Sequence, residues 1–119
     1  MKKIENAAKG LDVYEFGGRG YKRAITFKTW CLAFLTQDDE YTVNTYIERH
    51  METDEVFVLL KGEATLYIGK ERTPVKMELN KFYNVTAGTW HNIVCSSDAS
   101  VLVAENSDTD KTNTEYFYL

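Results

Sequence analysis

The chain has two histidines, His50 and His91, and both stand where side-chain chemistry is possible. His50 follows Glu48 by two residues in "YIERH", and Glu55 opens the apolar run "EVFVLL" just beyond. In an extended strand, residues two apart share a face, so Tyr46, Glu48 and His50 point the same way. Glu55 lies across the polar turn "METD", at the mouth of the next strand, and a neighbouring strand would set His91 beside these groups. Two imidazoles with one or two carboxylates suit a divalent ion such as Zn, Fe, Mn, Ni or Co. Two histidines and one carboxylate leave coordination positions open for water or substrate. The same residues also make a self-satisfied polar cluster, the imidazoles bonded to carboxylates or tyrosine hydroxyls. The residues taken alone leave both readings open.

The elements that must position these groups are short strands. "YTVNTYIERH" alternates with period two, Val43, Thr45, Ile47 and Arg49 on one face and Asn44, Tyr46, Glu48 and His50 on the other. "KG" at 61–62 supplies a tight turn between "EVFVLL" and "EATLYIG", in which Ala64, Leu66 and Ile68 alternate with Thr65 and Tyr67. The pattern predicts strands at about 42–50, 55–61, 64–69, 82–85, 89–95 and 101–106. "YKRAITFKTWCLAFLTQ" carries two more strand-like pieces, Thr73 before the only proline is extended, and "EYFYL" reads as a last edge strand. About nine or ten strands with turns every eight to twelve residues make an all-β barrel or sandwich of two facing antiparallel sheets. "GGRG" at 17–20 is a loop and not a phosphate cradle, since no strand–turn–helix pattern with Lys and Ser/Thr surrounds it.

Composition narrows the function classes. A length of 119 residues fits one domain, 1–119, with a polar segment at 1–10 that is frayed or draped over it. The composition is 44% hydrophobic and 13% aromatic, which is that of a folded chain, and the net charge of −4 argues against nonspecific nucleic-acid binding. No apolar run is long enough to cross a membrane as a helix, and "MKKIENAAKGLDVYEF" lacks the apolar core of a signal peptide. Cys31 and Cys95 form no CxxC pair and read as reduced, buried or half-buried thiols of a cytoplasmic protein.

The spacing of the polar groups resembles the two sequence motifs of the cupin superfamily, in its smallest single-domain form. The first motif is matched by Glu48, one residue, His50, four residues, Glu55, six residues and Gly62. The second is matched by Asn80, five residues, Thr86, Ala87, Gly88, two residues and His91, with Cys95 at the position that is often asparagine. Glu48 stands where the family has its first histidine, and Asn80 and Thr86 replace a glycine and a proline. The resemblance implies a cupin-like jelly roll whose matching side chains point into the barrel. It also implies a divalent metal on His50, Glu55 and His91, with Glu48 as fourth ligand or as acid/base group. Tyr46, on the same strand face, would then position a small polar substrate. Three functions follow. The first is a metal-dependent isomerase, epimerase, lyase or dioxygenase, the second a noncatalytic module that binds a small molecule, and the third a structural dimer without a metal site. A homodimer is expected in each case, through an outer sheet or the aromatic-rich ends "LDVYEF" and "EYFYL".

Overall fold

The computed structural model describes residues 2–38, 41–42 and 45–119, with residues 5 and 6 described for their backbone alone. The strands among them are β1 (Lys2–Ala8), β2 (Leu11–Glu15), β3 (Tyr21–Phe27), β4 (Trp30–Leu35), β5 (Tyr46–His50) and β6 (Glu55–Lys61), then β7 (Ala64–Ile68), β8 (Thr73–Lys76), β9 (Tyr83–Val85), β10 (His91–Cys95), β11 (Ser100–Asn106) and β12 (Thr114–Tyr118). The strand expected over 42–50 is described from residue 46. Val43 and Asn44, which the alternation places on its two faces, lie outside the described residues.

Two five-stranded antiparallel sheets form the body, in the orders β12-β5-β10-β7-β8 and β3-β4-β11-β6-β9. A third sheet holds only β1 and β2, so the opening segment read as frayed or draped forms one arm of a hairpin. Pro74, which has no N–H to give to a ladder, sits in β8 at the edge of its sheet. The apolar core lies between the sheets, with Leu35, Phe57, Leu59, Val101 and Val103 from one and Ala64, Leu66, Ile93 and Cys95 from the other. Each such large aliphatic or aromatic side chain contributes about 1.5–3 kcal/mol on burial. Cys31 and Cys95 are buried and unbridged.

Three of the core strands follow one rule that sets the site. Their inward alternation runs Glu55, Phe57, Leu59 in β6, His91, Ile93, Cys95 in β10, and Val101, Val103, Glu105 in β11. In each, the inward residue at one end is polar and the rest are apolar. The antiparallel directions bring those polar ends together, because β11 runs opposite to β6 and β10 opposite to β5, where His91 is in register with Glu48. The barrel is thereby packed with hydrocarbon at one end and lined with ionisable groups at the other.

Backbone turns hold this arrangement. Gly62, with φ of 75°, closes the β6–β7 hairpin, and a Cβ there would sit 2.7 Å from the Ala99 backbone. Asn80 has φ of 65°, a left-handed conformation that asparagine tolerates better than most residues, so it fills the glycine position of the second motif at modest cost. Gly88, with φ of 79°, donates its N–H to the His50 carbonyl at 2.8 Å and ties the turn before β10 to the end of β5. Asp54 braces the same turn by accepting from the Ala87 N–H at 2.9 Å and from Asn84 at 3.1 Å. No proline is needed where Thr86 stands, because the Thr86 carbonyl accepts from the Thr89 N–H and their hydroxyls bond at 2.9 Å.

Candidate metal centre in the barrel

His50, Glu55 and His91 meet at one oxygen. His50 Nε2 lies 3.1 Å from Glu55 Oε1, and His91 Nε2 lies 3.0 Å from the same atom. All three side chains are buried, while Glu48, half-buried, places its Oε1 3.6 Å from His50 Nε2. β5 resolves the phase that its sequence leaves ambiguous. Tyr46, Glu48 and His50 face the cavity, whereas Arg49 lies outside, its guanidinium 4.6 Å from the centre of the Trp90 ring.

The second nitrogen of each ring is anchored. His91 Nδ1 donates to the Thr89 carbonyl at 2.9 Å, and His50 Nδ1 is 2.9 Å from the Thr114 hydroxyl on β12. A carbonyl only accepts, and so does a carboxylate oxygen. With Glu55 ionised, His91 therefore donates from both nitrogens, and the pair shares its proton across the Nε2–Oε1 bond. Burial opposes charge on either imidazole, but the hydrogen bond and negative charge of Glu55 outweigh it, and both histidines are shifted upward from 6.5. Glu55 moves the other way. Burial favours its neutral form, yet the two imidazoles bonded to it hold its pKa well below the usual carboxylate range.

The donor set fits a divalent ion. Donor atoms of Glu48, His50 and His91 lie within 4.8 Å of one another, as do those of His50, Glu55 and Glu105. Both imidazole Nε2 atoms also converge on Glu55 Oε1, at 3.1 and 3.0 Å, so these side chains present their donor atoms to one small volume. The Nδ1–H bond of His91 to a carbonyl also fixes the neutral tautomer whose Nε2 lone pair is a metal ligand.

Sequence reasoning missed a second group facing the first. Glu105, on β11, accepts a 2.6 Å hydrogen bond from Tyr21, and Arg23 approaches the same carboxylate oxygen at 3.6 Å. Burial, followed by the negative charge of Glu55, pushes the Glu105 carboxyl up to about 7. Burial and the Glu105 carboxylate likewise raise the Tyr21 phenol above its usual value. Arg23 continues outward and donates to the carbonyls of Ser107 and Thr109 at 3.0 and 2.8 Å, fastening the β11–β12 connection over the cavity rim. The signal was a carboxylate standing in phase with the buried valines of "SVLVAEN".

These groups line a cavity of about 430 Å³. Tyr46, the expected substrate-positioning residue, is on its wall, with its ring 5.8 Å from that of Tyr116 and 5.7 Å from that of Tyr118. Phe57 and Leu35 form the apolar floor, and Arg23, Asp110 and Lys111 stand at the lining contributed by β3 and the β11–β12 connection. The arrangement offers ionisable groups at depth, tyrosines along one side and mixed charge at the rim.

No family model and no curated protein matches the sequence. Solved structures do match. A tyrosine-to-phenylalanine variant of Streptomyces PAC13 with uridine aligns with a TM-score of 0.66 at 7% identity, covering 90% of this chain and 92% of that one; Pac13 is described as a unique nucleoside dehydratase. A cupin-2 domain containing protein from Shewanella frigidimarina aligns at 0.58 with 14% identity, covering 76% of this chain and 84% of that one. An RmlC-like cupin family protein with a double-stranded β-helix fold, from Methanocaldococcus jannaschii, aligns at 0.62 with 14% identity over 79% of this chain and 88% of that one. At such identities the likeness is one of fold: the chain has a small, β-rich fold of facing antiparallel sheets similar to that of these structures, cupins among them.

Proposed function

We propose that the chain binds a divalent cation through His50, Glu55 and His91, with Glu48 beside them as acid/base group rather than as fourth donor, and acts as a small metal-dependent enzyme on a polar substrate held in the cavity. The observation that carries this reading is the meeting of both imidazole Nε2 atoms at one buried carboxylate oxygen, each ring being anchored through its other nitrogen. Bound there, a divalent ion neutralises the carboxylates and offers Lewis acidity toward a substrate oxygen. Glu48 is the more accessible carboxylate and is given the acid/base role, at the edge of the donor cluster and facing the cavity. Tyr46 and Tyr116 orient the ligand against their rings. The cavity is of a size that holds small ligands, commonly about 300–1,000 Å³. The fold shared with a protein bound to uridine supports a ring-bearing polar substrate, by analogy of fold only. Proton-transfer chemistry of the isomerase, epimerase or lyase kind uses Glu48 best. Two unbridged buried cysteines accord with a reducing cytoplasm.

A second reading has its own observation. In the metal-free arrangement His91 is a donor at both nitrogens and pairs with Glu55 as an internal ion pair, which satisfies the cluster without metal. The site is then a polar floor for a noncatalytic small-molecule module.

Elemental analysis of untagged protein, followed by calorimetry with Zn²⁺, Mn²⁺, Ni²⁺ and Co²⁺, separates the two. The enzyme reading expects near-stoichiometric metal and a loss of affinity of at least about 100-fold in His91→Ala, since a buried ligand is removed outright. Equal affinity in both proteins removes His91 from the ligand set. No binding to either transfers the site to the second reading.

A further inference from the structure

We propose, on the metal-binding reading above, that Glu105 is the fourth protein donor to the ion, and that the centre it completes is uncharged and selects a neutral, hydroxyl- or carbonyl-bearing substrate over a carboxylate or a phosphate. Glu105 lies outside both sequence motifs, on β11, in the sheet that faces β5 and β10.

Glu105 stands where a lone carboxylate is costly. It is 9% exposed, and the β6–β11 register, in which Val103 faces Phe57 and Ala104 faces Val56, runs on to set it across from Glu55. Like charges directly opposite one another in a sheet are destabilising, and burial removes the water that would screen them. Two carboxylates persist side by side on an inner face when something between them answers both. His50, already the partner of Glu55, occupies the same volume: donor atoms of His50, Glu55 and Glu105 lie within 4.8 Å of one another. His50 also belongs to the grouping with Glu48 and His91, so both sets of donors gather round one imidazole.

Only one oxygen of Glu105 is held by the chain. Its Oε1 accepts from the Tyr21 hydroxyl at 2.6 Å and has the Arg23 guanidinium at 3.6 Å. Its Oε2 is buried and accepts no hydrogen bond. A buried acceptor without a partner costs about 1–3 kcal/mol, and more when it is charged. A cation seated against His50 and Glu55 answers that oxygen and the repulsion between the two carboxylates together. The Tyr21 bond then does for Glu105 what the Thr89 and Thr114 bonds do for the two rings. It fixes the side chain through one atom and leaves the other for coordination.

Charge decides what such a centre accepts. Two bound carboxylates offset a dipositive ion, and Glu48 adds negative charge at its edge. The cations among the described lining residues do not reverse this. Arg23 is committed, with Nη1 and Nη2 donating to the carbonyls of Ser107 and Thr109 and Nε to the Tyr21 hydroxyl. Lys111 is exposed at the rim, next to Asp110. An anionic substrate would therefore meet like charge at depth. A hydroxyl or carbonyl oxygen meets no such penalty.

The test is Co²⁺ affinity by calorimetry, with the visible absorption of bound cobalt, for wild type, Glu105→Gln and Tyr21→Phe, and circular dichroism of each. Glu105→Gln keeps the volume of the side chain. It is expected to lower Co²⁺ affinity at least about 100-fold, and Tyr21→Phe, which frees the donor, about tenfold. The metal-free Glu105→Gln protein is expected to melt no lower than wild type at pH 8, so affinity and stability part company, which a merely structural role does not produce. Millimolar acetate is expected to leave the cobalt spectrum of wild type unchanged and to alter that of Glu105→Gln, where it takes the place of the lost carboxylate. Equal Co²⁺ affinity in wild type and Glu105→Gln overturns the proposal and leaves the metal reading standing, with Glu105 a protonated neighbour of Glu55. Should Glu105→Gln lose its β-type spectrum, Tyr21→Phe decides, and an unchanged affinity there overturns the proposal. A wild-type spectrum altered by acetate overturns the selection against anions. A wild type that binds no Co²⁺ overturns the metal reading itself and this proposal with it.

Discussion

Two carboxylates at the same end of one sheet behave in opposite ways. Glu55 on β6 and Glu105 on β11 stand on neighbouring strands, both buried, and burial alone would raise both. Glu55 faces the two imidazoles of the opposing sheet and is held ionised. Glu105 faces Tyr21, a neutral donor, with Arg23 at 3.6 Å, and it also feels the charge of Glu55. It is pushed up to about 7. The difference teaches that depth does not settle the charge of a group in this cavity. What decides is which wall answers it: the histidine wall supplies compensating charge, and the β3 wall supplies mainly a hydroxyl.

The largest effect that would break this contrast is on Glu55. Glu55→Ala removes the common acceptor of both imidazoles and should destabilise the metal-free protein by about 3 kcal/mol, as loss of one partner of a buried ion pair does. Urea denaturation at pH 6 measures it, and a loss no greater than that of a surface substitution would show that the imidazoles are content without their acid. Glu105→Gln should act in the other direction. The amide mimics the neutral acid, so at pH 8 the variant is expected to be more stable than wild type by on the order of 1–3 kcal/mol, with no gain at pH 4. A destabilised variant at pH 8 would mean that Glu105 is welcome as an anion.

The pH profile of the metal-free protein sharpens the same point. The two histidines and Glu105 have raised folded-state values, so the stability they confer is present in acid and is lost as pH rises. For Glu105 the window runs from the ordinary carboxyl value of 4.5 to about 7, and for the histidines it lies above 6.5. Glu55 has a lowered value, so its contribution is present above 4.5 and is lost as pH falls. Thermal melts should therefore peak in mildly acidic solution and decline toward pH 8. A midpoint still rising through pH 8 would contradict these directions. The smallest effect is expected for Tyr21→Phe, which deletes one hydrogen bond at a cost of about 1 kcal/mol. It should also raise the Glu105 titration, followed by carboxyl infrared absorption, because the Tyr21 bond favours the anion. An unmoved titration would remove Tyr21 from the account.

Local spacing explains how much of this was legible in the sequence. The β6–β7 hairpin lies within one or two residues of where alternation and the Lys61–Gly62 turn place it, because its partners are adjacent in the chain. The two motifs likewise put His50, Glu55 and His91 together, since short turns set each side chain relative to its own strand. Glu105 and Tyr21 escaped because their meeting depends on partners 84 residues apart, which no local pattern reveals. The facing of β5 was also hidden, as Ile47 is fully buried although it alternates with the cavity-facing residues. The N-terminal segment misled in a different way. Its alternation is weak because Ile4, Ala8, Leu11 and Val13 share their face with Lys2 and Glu15, and a bulge between Ile4 and Ala8 breaks their period.

The anchoring of His50 by Thr114 has a consequence for how the chain folds. The two residues are 64 positions apart and belong to β5 and β12, which pair directly. Closing a loop of that length costs entropy before any contact offsets it, whereas the β6–β7 hairpin closes over a two-residue turn. The local hairpins are thus expected to form ahead of the seat for His50, which waits on the same kind of long-range closure that pairs β4 with β11. In refolding from urea with Co²⁺ present, far-ultraviolet circular dichroism should recover before the visible absorption of bound cobalt does. Coincident recovery of the two signals would mean that β12 docks early.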